Sequence, residues 1–377
     1  MKKILTSTAL VGSLVLLSAG ISNAQTTVTG NLAMSYKATS TDQNTAAAKT
    51  GNNRTFGKES QINLTHTNKL SNGMGLVAGF SLEFDGSDAA PVNVSSATNA
   101  GNSVRGVTNE NTFIDIIAGN TTITFGADHM QNPDNTVTNL VGVADPDDII
   151  SGIGGNTSTL YSGGKNSAYQ AYQVGITQTT PIGKFSIGYA PDATTGQANS
   201  DTQGYGSTNA VNNYDADESR MEIGFVGNLG IKDLTVQAFY NKEDNAGRKS
   251  FDGTRSADQK GKMLAARYNL GTVALAYERG ETTSLAAIEN KSNSFGVSYA
   301  ATKEITLGAN YTKTDTDRTA NTSTSGVATA DEKIKSVSVG YNLGPIVVGL
   351  SYGEVEGYNG VTQADGKAVR LDTNVRF

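Results

Sequence analysis

The sequence predicts an all-β protein, a transmembrane antiparallel β-barrel of sixteen strands with short turns at one end and long loops at the other. Three observations predict this fold. Apolar residues recur with a period of two over segments of about ten residues, the length of a membrane-spanning strand. Short turns alternate with long polar connections along the chain. The last segment, Val369 to Phe377, has one apolar and one polar face, which suits a wall between hydrocarbon and water.

The N-terminal segment has the three parts of a secretory signal. Met1-Lys2-Lys3 is basic, Ile4 to Leu17 carries no charge, and Ser22-Asn23-Ala24 is a small-x-small cleavage pattern. The apolar stretch is shorter than the roughly 20 residues that a transmembrane helix needs. We therefore expect residues 1–24 to be removed and residues 25–377 to form a single barrel domain.

Composition narrows the class of partner. Without Lys2 and Lys3 the chain has 27 basic against 35 acidic residues, a balance that disfavours nucleic acid as a partner. There is no cysteine, so no disulfide framework or thiolate metal site is expected. Only 37% of the residues are hydrophobic, which favours a thin apolar surface over a thick core.

The first predicted strand places Val28, Gly30, Leu32, Met34 and Tyr36 on one face. It is followed by seven predicted hairpins, each with a tight turn. Their paired segments are Ile62 to Leu64 with Met74 to Phe84, Thr112 to Ala118 with Thr122 to Gly126, Tyr169 to Thr177 with Lys184 to Tyr189, Met221 to Leu229 with Leu234 to Tyr240, Met263 to Leu270 with Val273 to Glu278, Phe295 to Ala301 with Ile305 to Tyr311, and Val337 to Leu343 with Ile346 to Tyr352. The final segment closes the barrel against the first, which gives sixteen strands.

Long connections rich in Thr, Asn, Ser, Asp and Gly separate these hairpins. They are approximately 38–55, 85–108, 128–164, 191–218, 244–258, 282–290, 315–331 and 355–366. Short periplasmic turns and long extracellular loops are expected of an outer-membrane barrel. A soluble β-sandwich also has alternating strands, but it has no reason to alternate short and long connections.

Aromatic residues gather near the ends of the predicted strands, as in the two girdles of a membrane barrel. They are Tyr36, Phe84, Phe113, Tyr189, Tyr240, Tyr277, Tyr311, Tyr352 and Phe377. This assignment conflicts with Asp115, which has the parity of Phe113 and would be costly in contact with lipid. Either that face lies against a subunit interface or the register is off by one, and the sequence alone does not decide between them.

The chain resembles the general diffusion porins of Gram-negative outer membranes, the trimeric type with sixteen strands. The resemblance covers the mature chain and rests on the order and spacing of several short segments. They are Ser60-Gln61-Ile62-Asn63-Leu64, Leu70-Ser71-Asn72-Gly73-Met74, Thr122-Ile123-Thr124-Phe125-Gly126, Lys165-Asn166-Ser167, Tyr268-Asn269-Leu270-Gly271, Ala276-Tyr277-Glu278-Arg279 and the terminal Phe377.

The resemblance implies a homotrimer of water-filled barrels in the outer membrane, in contact with its lipids and passed by small hydrophilic solutes and ions. It also implies that the third long loop, about 128–164, folds inward and constricts the pore. Asp145, Asp147 and Asp148 match the acidic part of that loop. Phe377 resembles the signal that the barrel-assembly machinery reads.

The opposing basic residues of the family are mostly missing here. Family arginines would fall near Gln61, Glu110 and Ala127, none of which is basic. By parity, candidate basic residues of the pore lining are Lys165, Arg220, Arg267 and Arg370. The loss of basic residues and the acidic net charge predict a weakly cation-selective pore.

Two alternatives stay open: a substrate-specific porin, and a surface adhesin or receptor that uses the barrel as an anchor. An enzyme is not expected. The chain has two histidines, His66 and His129, and no recognisable triad or metal motif. We expect neither a cofactor nor a bound metal.

Overall fold

The computed structural model describes residues 24–43, 53–83, 108–127, 172–190, 219–243, 259–283, 289–317, 331–357 and 364–377. The predicted signal, residues 1–24, lies outside this part of the chain apart from Ala24. Within the described ranges, no helix is long and apolar enough to cross a membrane.

The described residues form sixteen strands. These are β1 (Gln25–Gln43), β2 (Asn53–Lys69), β3 (Gly75–Glu83), β4 (Thr108–Ala118), β5 (Thr121–Ala127), β6 (Tyr172–Thr180), β7 (Gly183–Ala190), β8 (Arg220–Gly227), β9 (Leu234–Glu243), β10 (Gln259–Leu270), β11 (Val273–Thr283), β12 (Glu289–Ala300), β13 (Ile305–Asp317), β14 (Glu332–Asn342), β15 (Ile346–Glu356) and β16 (Ala364–Arg376). Each strand pairs antiparallel with its neighbours in sequence, and β16 pairs with β1 to close the barrel. The predicted fold is therefore confirmed, including the seven hairpins.

The short connections lie together at one end of the barrel, because antiparallel strands reverse direction at each turn. The tightest have two residues, as between β10 and β11, where Gly271 has a φ of 65° that favours glycine. The strand ends that lead into the other eight connections lie at the opposite end. In the orientation expected from the sequence, the first end is periplasmic and the second extracellular.

The two faces of the wall differ in side-chain type. On β11, Leu275 and Tyr277 are exposed, while Ala274, Ala276 and Glu278, which alternate with them, are buried. The exposed apolar residues of all strands share the outer face, as a lipid-facing surface requires. The inner face carries mostly Ser, Thr, Asn, Gly and Ala together with charged residues, and it lines the lumen.

The barrel closes at a close contact between β1 and the C-terminal residue. The backbone N–H of Gly30 donates to the Phe377 carbonyl at 2.8 Å, and Phe377 N–H donates back at 3.0 Å. The Phe377 ring covers Gly30 so closely that a Cβ there would lie 2.6 Å from the ring. Glycine is therefore required at this position of the seam.

Candidate functional site

Charged side chains of both signs point into the lumen from the described strands. Residues that lie in register on neighbouring strands share one face of the wall, and the exposed apolar residues mark the outer face. Each charged residue is therefore assigned to the inner or the outer face from its register. The inward carboxylates include Glu83, Asp115, Glu222, Glu278, Glu332 and Asp372, and the inward basic residues include Lys37, Lys69, Lys184, Arg220, Arg267, Arg370 and Arg376. These residues give the lumen its electrostatic character.

Arg220 and Glu222 form an ion pair on the inner face of β8. They are two residues apart, so the strand geometry places both side chains on one face. Arg220 Nη2 contacts Glu222 Oε1, and the two side chains are only 2% and 8% exposed. Burial favours this pairing strongly, because an isolated charge would lose its hydration.

Arg370 and Asp372 repeat this arrangement on β16. Arg370 Nε donates to Asp372 Oδ1 at 2.7 Å, and their side chains are 19% and 9% exposed. Lys37 of β1 lies in register with Arg370 and faces the same side. The prediction placed Arg220 and Arg370 on the lumenal face, and the structure has them there, each beside a carboxylate.

Arg267 also faces the lumen, near the turn that ends β10. Its Nε donates to Asn269 Oδ1 at 3.2 Å, an amide rather than a carboxylate. Lys184 and Arg376 lie at the same end of the barrel, close to the short connections. Three of the lumenal basic residues, Arg267, Lys184 and Arg376, thus lie toward the periplasmic end, whereas Arg220, Glu222 and Glu278 lie farther from the short connections.

The structure shows which face of β4 points into the lumen, a question that the sequence alone did not decide. Asp115 points into the lumen, is 7% exposed and accepts a hydrogen bond from Thr124 Oγ1 at 2.6 Å. Ile114, which is 48% exposed, is on the outer face. A bulge at Gly79 and Ser81 and a positive φ at Asn111 interrupt the pairing between β3 and β4.

The placement of Phe113 in an aromatic girdle is wrong. Phe113 shares the inner face with Asp115 and is 8% exposed. Its ring lies over Gly79, where a Cβ would come within 2.9 Å, and its Cβ lies beside Gly126. Glycines on both neighbouring strands therefore make the space for an inward ring.

The other described girdle residues lie on the outer face. Tyr277 pairs in register with Phe295, with ring centroids 4.9 Å apart, and Phe295 with Tyr311. Tyr36, Tyr189, Tyr240, Tyr352 and Phe377 have the same parity. Phe84 lies outside the described residues.

Four predicted site residues lie outside the described part of the chain. They are Asp145, Asp147 and Asp148 in the predicted constriction loop, and Lys165 after it. Their roles stay predictions.

Sequence reasoning missed several lumenal residues. Glu222, Glu278 and Glu332 lie on the parity opposite exposed apolar neighbours, so strand alternation alone would have found them. An apolar cluster on the inner face, which contains Phe239 and Met263, was also missed. No group of three or more His, Asp or Glu side chains in the described ranges could hold a metal ion.

Comparisons with known proteins agree with this geometry. A family model described as Gram-negative porin matches residues 164–373, which is more than half of the chain. The chain belongs to the Gram-negative porin family. This porin is therefore an outer-membrane diffusion channel rather than an enzyme, located in the outer membrane of a Gram-negative bacterium. A search of curated protein sequences finds no match.

Solved porin structures share the fold at low identity. The anion-selective porin from Comamonas acidovorans is 12% identical with a TM-score of 0.62, and the match covers 94% of this chain and 100% of that chain. The outer membrane channel DcaP of Acinetobacter baumannii is 12% identical with a TM-score of 0.58, over 94% and 97% of the two chains. A trimer form of OmpT from Vibrio cholerae is 14% identical with a TM-score of 0.57, over 94% and 99%. Identities this low show the fold alone.

Proposed function

We propose that this porin is a passive channel for small hydrophilic solutes and ions, weakly selective for cations. The observation that carries the selectivity is the pairing of Arg220 with Glu222 and of Arg370 with Asp372. A basic residue attracts anions in a pore only to the extent that its charge is not cancelled nearby. Here each of these arginines has a carboxylate two residues further along its own strand.

The remaining lumenal carboxylates also support a preference for cations. Glu83, Glu278 and Glu332 are buried on the inner face, away from the basic periplasmic end. We propose that Asp145, Asp147 and Asp148 add further negative charge at a constriction formed by the loop of about 128–164. In a narrow, weakly screened passage a cluster of carboxylates raises the local concentration of cations.

The anion selectivity named for the Comamonas porin does not transfer to this chain, because the two share only 12% identity. Selectivity depends on individual side chains of the lumen, and the fold does not determine them. Arg267, Lys184 and Arg376 act against cation preference, which is why we propose a weak selectivity.

Reversal potentials in a planar bilayer with a potassium chloride gradient test the proposal. For the wild type we expect a reversal potential with the sign that a preference for potassium over chloride produces. Changing Asp145, Asp147 and Asp148 together to Asn should shift the reversal potential in the direction of greater anion preference. The triple variant should still insert into the bilayer and give single-channel conductance steps. Glu356→Gln is the matched control, because Glu356 lies on the outer surface. A clear anion preference of the wild type would overturn cation selectivity.

The same recording separates the channel from an anchored adhesin or receptor. A barrel used only as an anchor has no need of an open lumen and would give no conductance steps. A track of binding sites for one solute would instead show as current block by that solute at low concentration.

We also propose a homotrimer and, for Phe377, recognition by the barrel-assembly machinery. The trimer form named for the Vibrio cholerae relative supports the first. The outward Phe377 ring, 70% exposed, supports the second. Chemical cross-linking in native membranes tests the trimer. The rate of assembly of Phe377→Ala, against Val375→Ala as control, tests the signal.

A further inference from the structure

We infer that the pore rectifies: at a given voltage it passes more current when the extracellular side is positive than when it is negative. The cause is the order of charge along the lumen, which is basic at the periplasmic mouth and acidic beyond it. This asymmetry requires the open channel proposed above but not its cation selectivity.

Four basic side chains of the inner face lie close to the periplasmic mouth. They are the last residues of β2 and β16, the second residue of β7 and the fourth from the end of β10, namely Lys69, Arg376, Lys184 and Arg267. Strands β16 and β2 flank β1, whereas β7 and β10 lie across the lumen from them. The mouth is therefore basic on two opposite sides.

The charges of these four residues are not cancelled within the described part of the chain. None of the four forms an ion pair with another described residue, and Arg267 donates to the Asn269 amide instead. Lys69 and Arg376 are exposed to solvent. Among the described carboxylates of the inner face, only Asp115 lies within four residues of this end of its strand. The mouth thus has a net positive charge.

Four carboxylates of the inner face lie farther from the mouth. Glu222 and Glu278 are the sixth residues from the periplasmic ends of β8 and β11. Glu83 and Glu332 are the ninth and the eleventh residues from the periplasmic ends of β3 and β14. The inner face therefore changes from basic to acidic along the axis of the barrel.

Basic residues also occur in this acidic zone, but two of the three described ones have a carboxylate beside them. Arg220 contacts Glu222, and Arg370 donates to Asp372 at 2.7 Å. The third is Lys37, which lies in register with Arg370. With Asp372, the described carboxylates of the zone number five against these three basic residues, so its net charge is negative.

The long connections of the sequence are acidic as well. Within the boundaries predicted above, the eight of them contain 22 acidic and 7 basic residues. They follow the strand ends at the extracellular side, opposite the basic mouth. The short connections are neutral by contrast, because Lys232 is balanced by Asp233 and Lys303 by Glu304.

Two zones of opposite charge in series do not conduct equally in the two directions. When the extracellular side is positive, cations enter through the acidic zone and anions through the basic mouth, so both accumulate where the zones meet. When the voltage is reversed, each ion leaves through the zone that admits it, and the middle of the lumen loses carriers. Salt weakens this effect, because the Debye length falls from about 10 Å at 0.1 M to about 3 Å at 1 M.

The experiment is the current–voltage curve of single channels in a planar bilayer with equal potassium chloride on both sides. At 0.05 M salt, the current at 100 mV with the extracellular side positive should exceed the current at the opposite voltage by roughly 1.5-fold to 3-fold. At 1 M the two currents should agree within about 10%.

The orientation of each channel is determined with a single cysteine, since the chain has none. Asn120→Cys lies in the short connection between β4 and β5 and is exposed. A polyethylene glycol maleimide too large to pass the pore reacts with it only from the chamber that the short connections face, and a fall in current reports the reaction.

The quadruple variant with Gln at Lys69, Lys184, Arg267 and Arg376 should lower the current ratio at 0.05 M to about 1. Its reversal potential in a salt gradient should shift in the direction of greater cation preference. Because Arg376 adjoins the barrel seam, the triple variant that keeps this arginine provides a second test and should lose most of the asymmetry.

The matched control removes four cations from the outer face and should keep the wild-type current ratio. Its changes to Gln are at Lys262, Lys291, Lys335 and Lys367. Equal currents in the wild type at 0.05 M, an asymmetry of the opposite sign, or one that the quadruple and triple variants both retain would overturn the inference. An anion-preferring wild type with the expected asymmetry would contradict only the proposed selectivity and would support rectification.

Discussion

Two arcs of the barrel wall differ in strand length and in the charge of their outer face. Strands β5 to β8, the short arc, have 7 to 9 residues, whereas β10 to β16, the long arc, have 11 to 13. The described outward residues of the short arc carry no charge. Those of the long arc end in rows of Lys, Arg, Asp and Glu.

The difference shows what sets strand length in this wall. An apolar band about 25 Å tall takes about ten residues of a strand tilted by about 40°, so the short arc does not exceed this band, whereas the long arc does. The additional residues of the long arc lie above the aromatic rows and form ion pairs on their outer face, as Lys335 does with Glu356 at 2.7 Å. The long arc therefore extends beyond the hydrocarbon into the polar surface of the membrane.

The largest effect is expected from a charge within the apolar band. Ile187 lies in mid-strand on the outer face of the short arc and is 56% exposed. Ile187→Lys should cost about 2 to 4 kcal/mol of folding free energy, the range for a lysine at the bilayer midplane. Denaturant titration of folding into phosphatidylcholine vesicles measures it.

Its matched control lies in the long arc. Leu264→Lys adds the same charge at an outward apolar residue that is also 56% exposed and lies in register with Arg279, and we expect a cost of less than about 1 kcal/mol there. Equal costs for the two variants would show that both positions lie at the same depth, and the distinction between the arcs would fail.

The second effect compares the two lumenal ion pairs. In the short arc, Glu222→Gln leaves the buried Arg220 without its carboxylate, and the cost should be about 3 kcal/mol. Nε and Nη1 of Arg220 have no hydrogen-bond partner in the described structure, so the guanidinium has little to replace the lost contact.

Asp372→Asn in the long arc should cost less, about 1 kcal/mol, because Arg370 is more exposed to the lumen. The same vesicle titration checks both variants, and reversal potentials should shift toward anions in each. A larger cost for Asp372→Asn than for Glu222→Gln would contradict the burial argument.

The smallest effect concerns the charged rows themselves. Asp331, just before β14, lies 2.9 Å from Lys313, and a hydrogen bond from that lysine lowers the pKa of the Asp331 carboxyl. A lowered pKa stabilises the fold above the ordinary aspartate pKa, and this contribution is lost as the pH falls through the lowered value.

Because both partners of this ion pair are exposed to solvent, it contributes little to folding stability, and titration of the carboxyl is the better measurement. Carboxyl NMR in detergent micelles should show Asp331 titrating below an ordinary aspartate, and Lys313→Gln should raise its pKa toward the ordinary value. Lys367→Gln should have no effect. A low pKa that persists in Lys313→Gln would show that this ion pair is not its cause.

The sequence predicted the strand pairs because each needs only a period of two and a turn. It predicted the lumenal faces of Arg220, Arg267 and Arg370 for the same reason. It failed at Phe113, since β4 has apolar residues on both faces and local alternation cannot choose between them. Gly79 and Gly126, which make room for the inward ring, belong to other strands, and only the register shows that they meet Phe113.

The pairing of Gly30 with Phe377 has a consequence for the order of folding. Every other strand pair joins neighbours in the chain and can form by adding one hairpin to the last, at a low cost in loop-closure entropy. The pair β1 and β16 brings together the two ends of the domain, so it must form last. Until then both edges expose unpaired backbone groups, which are costly in hydrocarbon. A partly assembled barrel is consequently a species that needs protection at its two edges.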